Sequence, residues 1–162
     1  MMNKEEERNR SVEQRHLRAL SLNAGHKAPG VRTRKPRLLL AEDDLYMRTL
    51  LANTMRRAGF EVIEACDGAE LVTRLGNLLQ DSVDDRMVDL VISDIRMPWA
   101  TGLSVLESLR RNDWEIPFIL ITAFGDEATH LEAKRLGASE VFDKPFDLHE
   151  LRDSALRFAG GA

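Results

Sequence analysis

The chain has 162 residues, 43% of them hydrophobic and 31% charged, an ordinary globular composition for a domain able to bury a core without covalent staples. One cysteine, Cys66, excludes an internal disulfide and a cysteine-based zinc site, and no apolar run approaches a membrane span. The net charge of −4 is uneven: nine Lys/Arg stand against four Asp/Glu in residues 1–36, and fourteen against twenty-three in residues 37–162, so an acidic body disfavours nucleic acid as the main ligand.

Residues 1–36 read as a polar, mildly basic arm, disordered or partly helical, with few large apolar side chains (Val12, Leu17, Leu20, Leu22, Val31) and a linker over 23–30. Arg32, Arg34, Lys35 and Arg37 belong to a solvated linker on this reading. The opening Met1-Met2-Asn3-Lys4-Glu5-Glu6-Glu7 lacks the apolar core of a signal peptide, which makes a cytoplasmic setting the expectation.

From Arg37 onward, five short apolar runs alternate with helical patterns. The runs are Leu38–Ala41, Phe60–Ala65, Val88–Ser93, Phe118–Ile121 and Glu140–Phe142. Those built on 38–40, 90–92 and 118–121 are continuously apolar, as strands covered on both faces of a parallel sheet must be. In the first helix Met47, Leu50, Leu51, Thr54, Met55 and Ala58 share a face, with Asp44 as cap and Gly59 as stop. Cys66, just before the second helix, is expected to be a small buried residue. That helix opens at Asp67-Gly68 with a stripe of Leu71, Val72, Leu75, Leu78 and Leu79; the third shows Leu103, Leu106 and Leu109. Trp114 reads as a packing residue after it. The fourth, 126–136, is weak, with only Leu131 and Leu136 as large apolar residues. The last opens at Asp147 and carries Leu148, Leu151, Ala155 and Phe158. The histidines show no metal spacing and read as surface residues. Five strand–helix alternations imply right-handed crossovers and a doubly wound parallel sheet, an α/β fold.

Ligands of such sheets bind outside the carboxyl ends of the strands. There the sequence places Glu42-Asp43-Asp44, Ser93-Asp94, Thr122-Ala123 and Asp143-Lys144-Pro145. Two carboxylates about 4 Å apart repel by roughly 4 kcal/mol at an effective dielectric of 20, so such a cluster calls for a proton or a cation. Carboxylate oxygens without His or Cys suit Mg²⁺, with Mn²⁺ as the alternative. Lys144 adds a point charge for phosphate and Thr122 a hydroxyl donor. This is equipment for phosphoryl transfer, and Asp94, between the acid pair and the Lys/Thr side, is the candidate nucleophile.

These residues resemble the response regulator receiver domain of two-component signalling over 37–159. The motifs are Leu-Leu-Leu-Ala-Glu-Asp-Asp (38–44), Val-Ile-Ser-Asp-Ile-Arg-Met-Pro (91–98) with Gly102-Leu103, Ile-Thr-Ala (121–123), and Gly137-Ala138 before Asp-Lys-Pro-Phe (143–146). The resemblance implies a flavodoxin-like five-stranded parallel sheet of order 2-1-3-4-5 with five helices, and residues 37–162 as the receiver domain. It implies Mg²⁺ on Glu42, Asp43, Asp94 and the backbone carbonyl of Arg96, phosphorylation of Asp94 by a histidine kinase or a histidine phosphotransfer protein, and Lys144 and Thr122 on the phosphoryl group. It also implies a cis Lys144–Pro145 bond, a switch next to Ala123, and an output surface of fourth helix, fifth strand and fifth helix. The chain's end at Ala162 suggests a stand-alone regulator, without a DNA-binding domain, acting through protein contact or onward relay.

Three positions depart from the family. Glu42 stands where Asp is commoner. Val141 occupies the place of the usual switching Tyr or Phe, and the neighbouring Phe142 points the other way because strand side chains alternate. Trp99 follows Met97-Pro98 where a small residue is usual, and either shields the site or touches a partner. Two other readings use the same residues. An aspartyl-nucleophile phosphatase of the haloacid dehalogenase type needs a second Asp at position 96, which is Arg96. A receiver-like module that is never phosphorylated would not need the intact acid pair, Asp94, Thr122 and Lys144.

Overall fold

A computed structural model describes residues 34–80 and 87–160. The expectations for residues 1–33 lie outside the described residues.

The elements alternate as read: β1 (Arg37–Ala41), α1 (Leu45–Arg57), β2 (Glu61–Ala65), α2 (Gly68–Gln80), β3 (Leu90–Asp94), α3 (Gly102–Arg111), β4 (Phe118–Thr122), α4 (Glu127–Arg135), β5 (Glu140–Asp143) and α5 (Leu148–Gly160). All pairings are parallel and the strand order is β2-β1-β3-β4-β5. This is the flavodoxin-like doubly wound sheet. Among the described residues no helix is long and apolar enough to cross a membrane.

The continuously apolar runs are the three interior strands. β3 and β4 are buried throughout and β1 from Leu38 onward, whereas edge strand β2 is mostly half-exposed. Alternation along each strand divides the core into two layers. Leu39, Ala41, Val91, Phe118 and Leu120 pack with Leu71 and Leu75 of α2, Val105, Leu106 and Leu109 of α3, and Ala133 of α4. Leu38, Leu40, Leu90, Ile92, Ile119, Ile121 and Phe142 pack with Leu51, Ala52 and Met55 of α1 and Leu151, Ala155 and Ala159 of α5. Each fully buried Leu or Ile contributes about 1.5–3 kcal/mol by leaving water.

Helix starts are fixed by side chains that accept the orphan N–H groups of the first turn. Asp44 accepts from Met47 N at 2.7 Å, Asp67 from Glu70 N at 2.8 Å, and Asp126 from Thr129 N at 2.8 Å. Thr101 and Ser104 form a reciprocal capping box on α3. Gly59, at φ 101, takes the left-handed turn that ends α1.

Several expectations are corrected. Cys66 is exposed, not buried, because it follows β2 at the outer edge of the sheet. Val72 is exposed beside the buried Leu71 and Leu75. It lies about 100° round the helix from Leu71, beyond the face that meets the sheet. Leu131 of α4 is also exposed, while Leu136 is buried beyond the end of that helix. Trp114 packs against the core as expected. Arg34 and Arg37 are not solvated linker residues. Arg34 pairs with Asp89 at 2.8 Å and Arg37 with Glu61 at 3.1 Å, while Arg37 N–H donates to Asp89 at 2.7 Å. These partners tie the start of β1 to β2 and to the entry of β3.

Candidate functional site

Parallel strands put all their carboxyl ends at one edge. Ala41 pairs with Ser93, so Glu42, the first residue past β1, stands beside Asp94, the last residue of β3. Asp94 pairs with Ile121, and Thr122 with Asp143, which delivers the hydroxyl and Lys144 to the same edge. Glu42, Asp94 and Thr122 are buried and Asp43 is exposed. Carboxylate oxygens of Glu42, Asp43 and Asp94 lie within 4.8 Å of one another.

Lys144 bridges two of these acids, its Nζ 2.6 Å from Asp94 Oδ2 and 3.0 Å from Glu42 Oε2. The remaining oxygens meet backbone donors: Arg96 N–H gives 2.9 Å to Asp94 Oδ1 and Asp44 N–H gives 3.1 Å to Glu42 Oε1. Burial pushes the Glu42 carboxyl up to about 7, over the opposing pull of the Asp44 N–H and Lys144, and the Asp94 charge adds to the rise. Burial alone would lower the Lys144 ammonium, but its bonds to Asp94 and Glu42 carry it above an ordinary lysine. The Lys144 ammonium thus bridges two of the three acids in the cluster. The donor set is hard oxygen without nitrogen or sulfur, and it fits Mg²⁺ or Mn²⁺.

The surrounding backbone holds this geometry. Ser93 Oγ donates to the Asp94 carbonyl at 2.9 Å, and Gly102 N–H to the Ile95 carbonyl at 3.0 Å. A Cβ on Gly102 would stand 2.6 Å from the Asp94 carbonyl oxygen, so only glycine lets α3 start this close. Arg48 donates to the Glu42 carbonyl at 2.9 Å, a positioning contact the sequence reading missed; its place four residues after the cap Asp44 was the available signal. Thr122 Oγ1 accepts from Phe124 N–H at 3.1 Å, and the exposed Ala123 lies between. The Arg96 guanidinium stacks over the Phe124 ring, 4.5 Å from its centroid.

Around this centre, the Lys144–Pro145 bond is cis, with Pro145 exposed. Val141 packs in the layer of α2, α3 and α4. Phe142 points to the opposite layer and meets Phe146 edge-on at 5.9 Å. Among the large apolar side chains, no aromatic therefore stands at the expected switch position. Trp99 is exposed and sits at φ 76, a backbone conformation that costs an L-residue about 1–2 kcal/mol. Asp143 holds His130 of α4 through both carboxylate oxygens, at 3.0 and 2.9 Å, so this histidine is a partnered one.

A family model, the response regulator receiver domain, matches residues 38–156. The chain belongs to the response regulator receiver family. Its family is a signalling module of two-component systems, phosphorylated on aspartate in a Mg²⁺-dependent manner. The chain is 30% identical over 122 residues to sporulation initiation phosphotransferase F of Bacillus subtilis, covering 75% of this chain and 92% of that protein. It is 39% identical over 116 residues to the transcriptional activator protein PfeR of Pseudomonas aeruginosa, covering 72% of this chain but 35% of that longer protein. In structure it resembles the chemotaxis protein CheY4 of Vibrio cholerae, with a TM-score of 0.65 at 25% identity over 76% of this chain and 98% of that one.

Proposed function

We propose that this receiver domain takes a phosphoryl group on Asp94 from the phosphohistidine of a histidine kinase or a histidine phosphotransfer protein. The observation that carries the reading is the seat of Asp94: a buried carboxylate with one oxygen 2.6 Å from an ammonium and two more carboxylates within 4.8 Å.

An Asp94 oxygen attacks phosphorus, the P–N bond to the imidazole breaks, and its electron pair returns to the ring nitrogen, which then takes a proton from water. Glu42, Asp43, Asp94 and the backbone carbonyl of Arg96 would hold Mg²⁺. When bound, the ion supplies positive charge for the transferring oxygens. Lys144 exchanges its Asp94 oxygen for a phosphoryl oxygen, and the Thr122 hydroxyl turns toward another.

The signal leaves through the α4–β5–α5 face. Support comes from the packing of α4, which buries Ala133 alone among its own residues and is held to β5 by His130 and Asp143. A helix so lightly packed changes position at small cost. With Val141 at the switch position, the output does not use an aromatic rotation. Residues 37–162 form the receiver unit of a cytoplasmic regulator, which turns over no substrate beyond its own phosphate. Its output is a protein contact or onward relay, and the relay option agrees with the name of the B. subtilis relative.

The test is intact-mass measurement after incubation with acetyl phosphate and Mg²⁺. A gain of one phosphoryl group is expected, lost in Asp94→Asn and in EDTA. Beryllofluoride should then shift NMR signals over residues 122–142. No mass gain, or a gain that survives Asp94→Asn, overturns the reading.

A further inference from the structure

Among the described residues, four non-helical backbones lie in the left-handed region: Gly59, Gly137, Asp113 and Trp99. Two are glycines and the third is a short polar residue that tolerates it. Trp99 is the bulky exception. Its neighbours impose the turn: Gly68 N–H and Ala100 N–H both donate to the Pro98 carbonyl at 3.0 Å, and Gly102 N–H closes the loop on Ile95. The Ala100 bond back to Pro98 makes this a γ-turn, a strained path that glycine would follow at least cost. Among the described residues nothing offsets the strain, because the indole is 86% exposed.

The exposed apolar surface points the same way. The four most exposed large apolar side chains among the described residues are Trp99, Tyr46, Leu45 and Phe124, at 86%, 77%, 67% and 62%. Leu45 and Tyr46 follow the acid pair Glu42 and Asp43, Trp99 follows Asp94, and Phe124 follows Thr122. Leu45 and Tyr46 open α1, and Trp99 and Phe124 stand in the β3–α3 and β4–α4 connections, all at the edge where Asp94 opens. Phe124 is further fixed by the Arg96 stack. Apolar side chains gathered around an acidic pocket suit a partner that buries them, with Trp and Tyr as the residues that contribute most to such contacts.

We propose that Trp99 is a specificity residue for protein phosphodonors: it binds the apolar face of the protein that carries the phosphohistidine. This rests on the Asp94 reading. An imidazole that transfers to Asp94 must reach it through the opening these connections surround, so the protein behind it lies on their exposed side chains. A small anionic donor has no apolar surface to cover and gains nothing from Trp99.

The test compares wild type, Trp99→Asn and Trp99→Phe. Each receives phosphate from acetyl phosphate and, separately, from each autophosphorylated histidine kinase core encoded in the same genome. With the kinase that labels wild type fastest, Trp99→Asn should slow transfer by about tenfold or more, the scale of a strong interface truncation. Trp99→Phe should recover most of the rate. Acetyl phosphate should label all three within about twofold, and the urea midpoint of Trp99→Asn should match that of wild type, since the indole it removes is exposed. The proposal is overturned if Trp99→Asn accepts phosphate from that kinase at the wild-type rate, if acetyl phosphate labelling slows as much, if the urea midpoint falls, or if no kinase core labels wild type. Failure of wild type to react with acetyl phosphate would instead sink the Asp94 reading.

Discussion

Lys144→Met removes the one ammonium bridging Glu42 and Asp94 while keeping a stem of similar length. The two facing oxygens, at 3.0 and 2.6 Å from Nζ, then stand without a cation. Removing one partner of a buried ion pair generally costs about 3–5 kcal/mol. Here the loss should be smaller, about 2–4 kcal/mol, because the Lys144 side chain is 21% exposed and each acid keeps one backbone N–H. At about 4 °C per kcal/mol for a domain of this size, Tm in EDTA should fall by about 8–16 °C. Mg²⁺ brings a replacement charge, so it should raise the Tm of the variant more than that of wild type. Thermal unfolding with and without Mg²⁺ decides the matter. A variant within about 3 °C of wild type in EDTA would show that the bridge does not hold the edge together. An equal Mg²⁺ increment in both proteins would show that the ion binds elsewhere.

Three further outcomes follow from the packing. Leu39→Ala, in the fully buried centre of β1, should lower urea stability by about 2–5 kcal/mol without changing the slope of the transition. Thr122→Val keeps the volume but removes the acceptor of Phe124 N–H; it should lose about 1 kcal/mol and shrink the beryllofluoride-induced shifts over residues 122–142. The Glu70 carboxylate beside Cys66 pushes the thiol above its ordinary range. Thiolate is therefore scarcer at a given pH, and the pH profile of iodoacetamide alkylation should lie to higher pH than that of a free cysteine. Glu70→Gln should bring that profile back; an unchanged profile would refute the contact.

The part of the fold set by burial was readable from the chain. Interior strands must be apolar on both sides, so 38–40, 90–92 and 118–121 announced themselves, and the parallel topology then brought Glu42, Asp43, Asp94, Thr122 and Lys144 to one edge. The parts set by distant pairing were not readable. Arg34 meets Asp89 across 55 positions, and no local pattern marks it as structured. His130 and Asp143 belong to different elements that only the β4–β5 register aligns. Cys66 reads as core because cysteine is among the most often buried residue types, but it leaves the sheet on its outer edge. The strain at Trp99 depends on hydrogen bonds from Gly68 and Gly102, neither of which a linear reading connects to it.

The division of each strand between two layers links folding to chemistry through odd and even positions. In β1, Leu38 and Leu40 serve one layer and Leu39 and Ala41 the other, and the count from Ala41 to Glu42 places the acid beside Asp94. Inserting or deleting a single residue in β1 would exchange the two sets and carry the acid pair one step out of line. Insertions should therefore be tolerated in the connections at the opposite, amino-terminal edge far better than within the strands. Length changes that spare the core without disturbing the acidic pocket are confined to the pole of the sheet that plays no part in it.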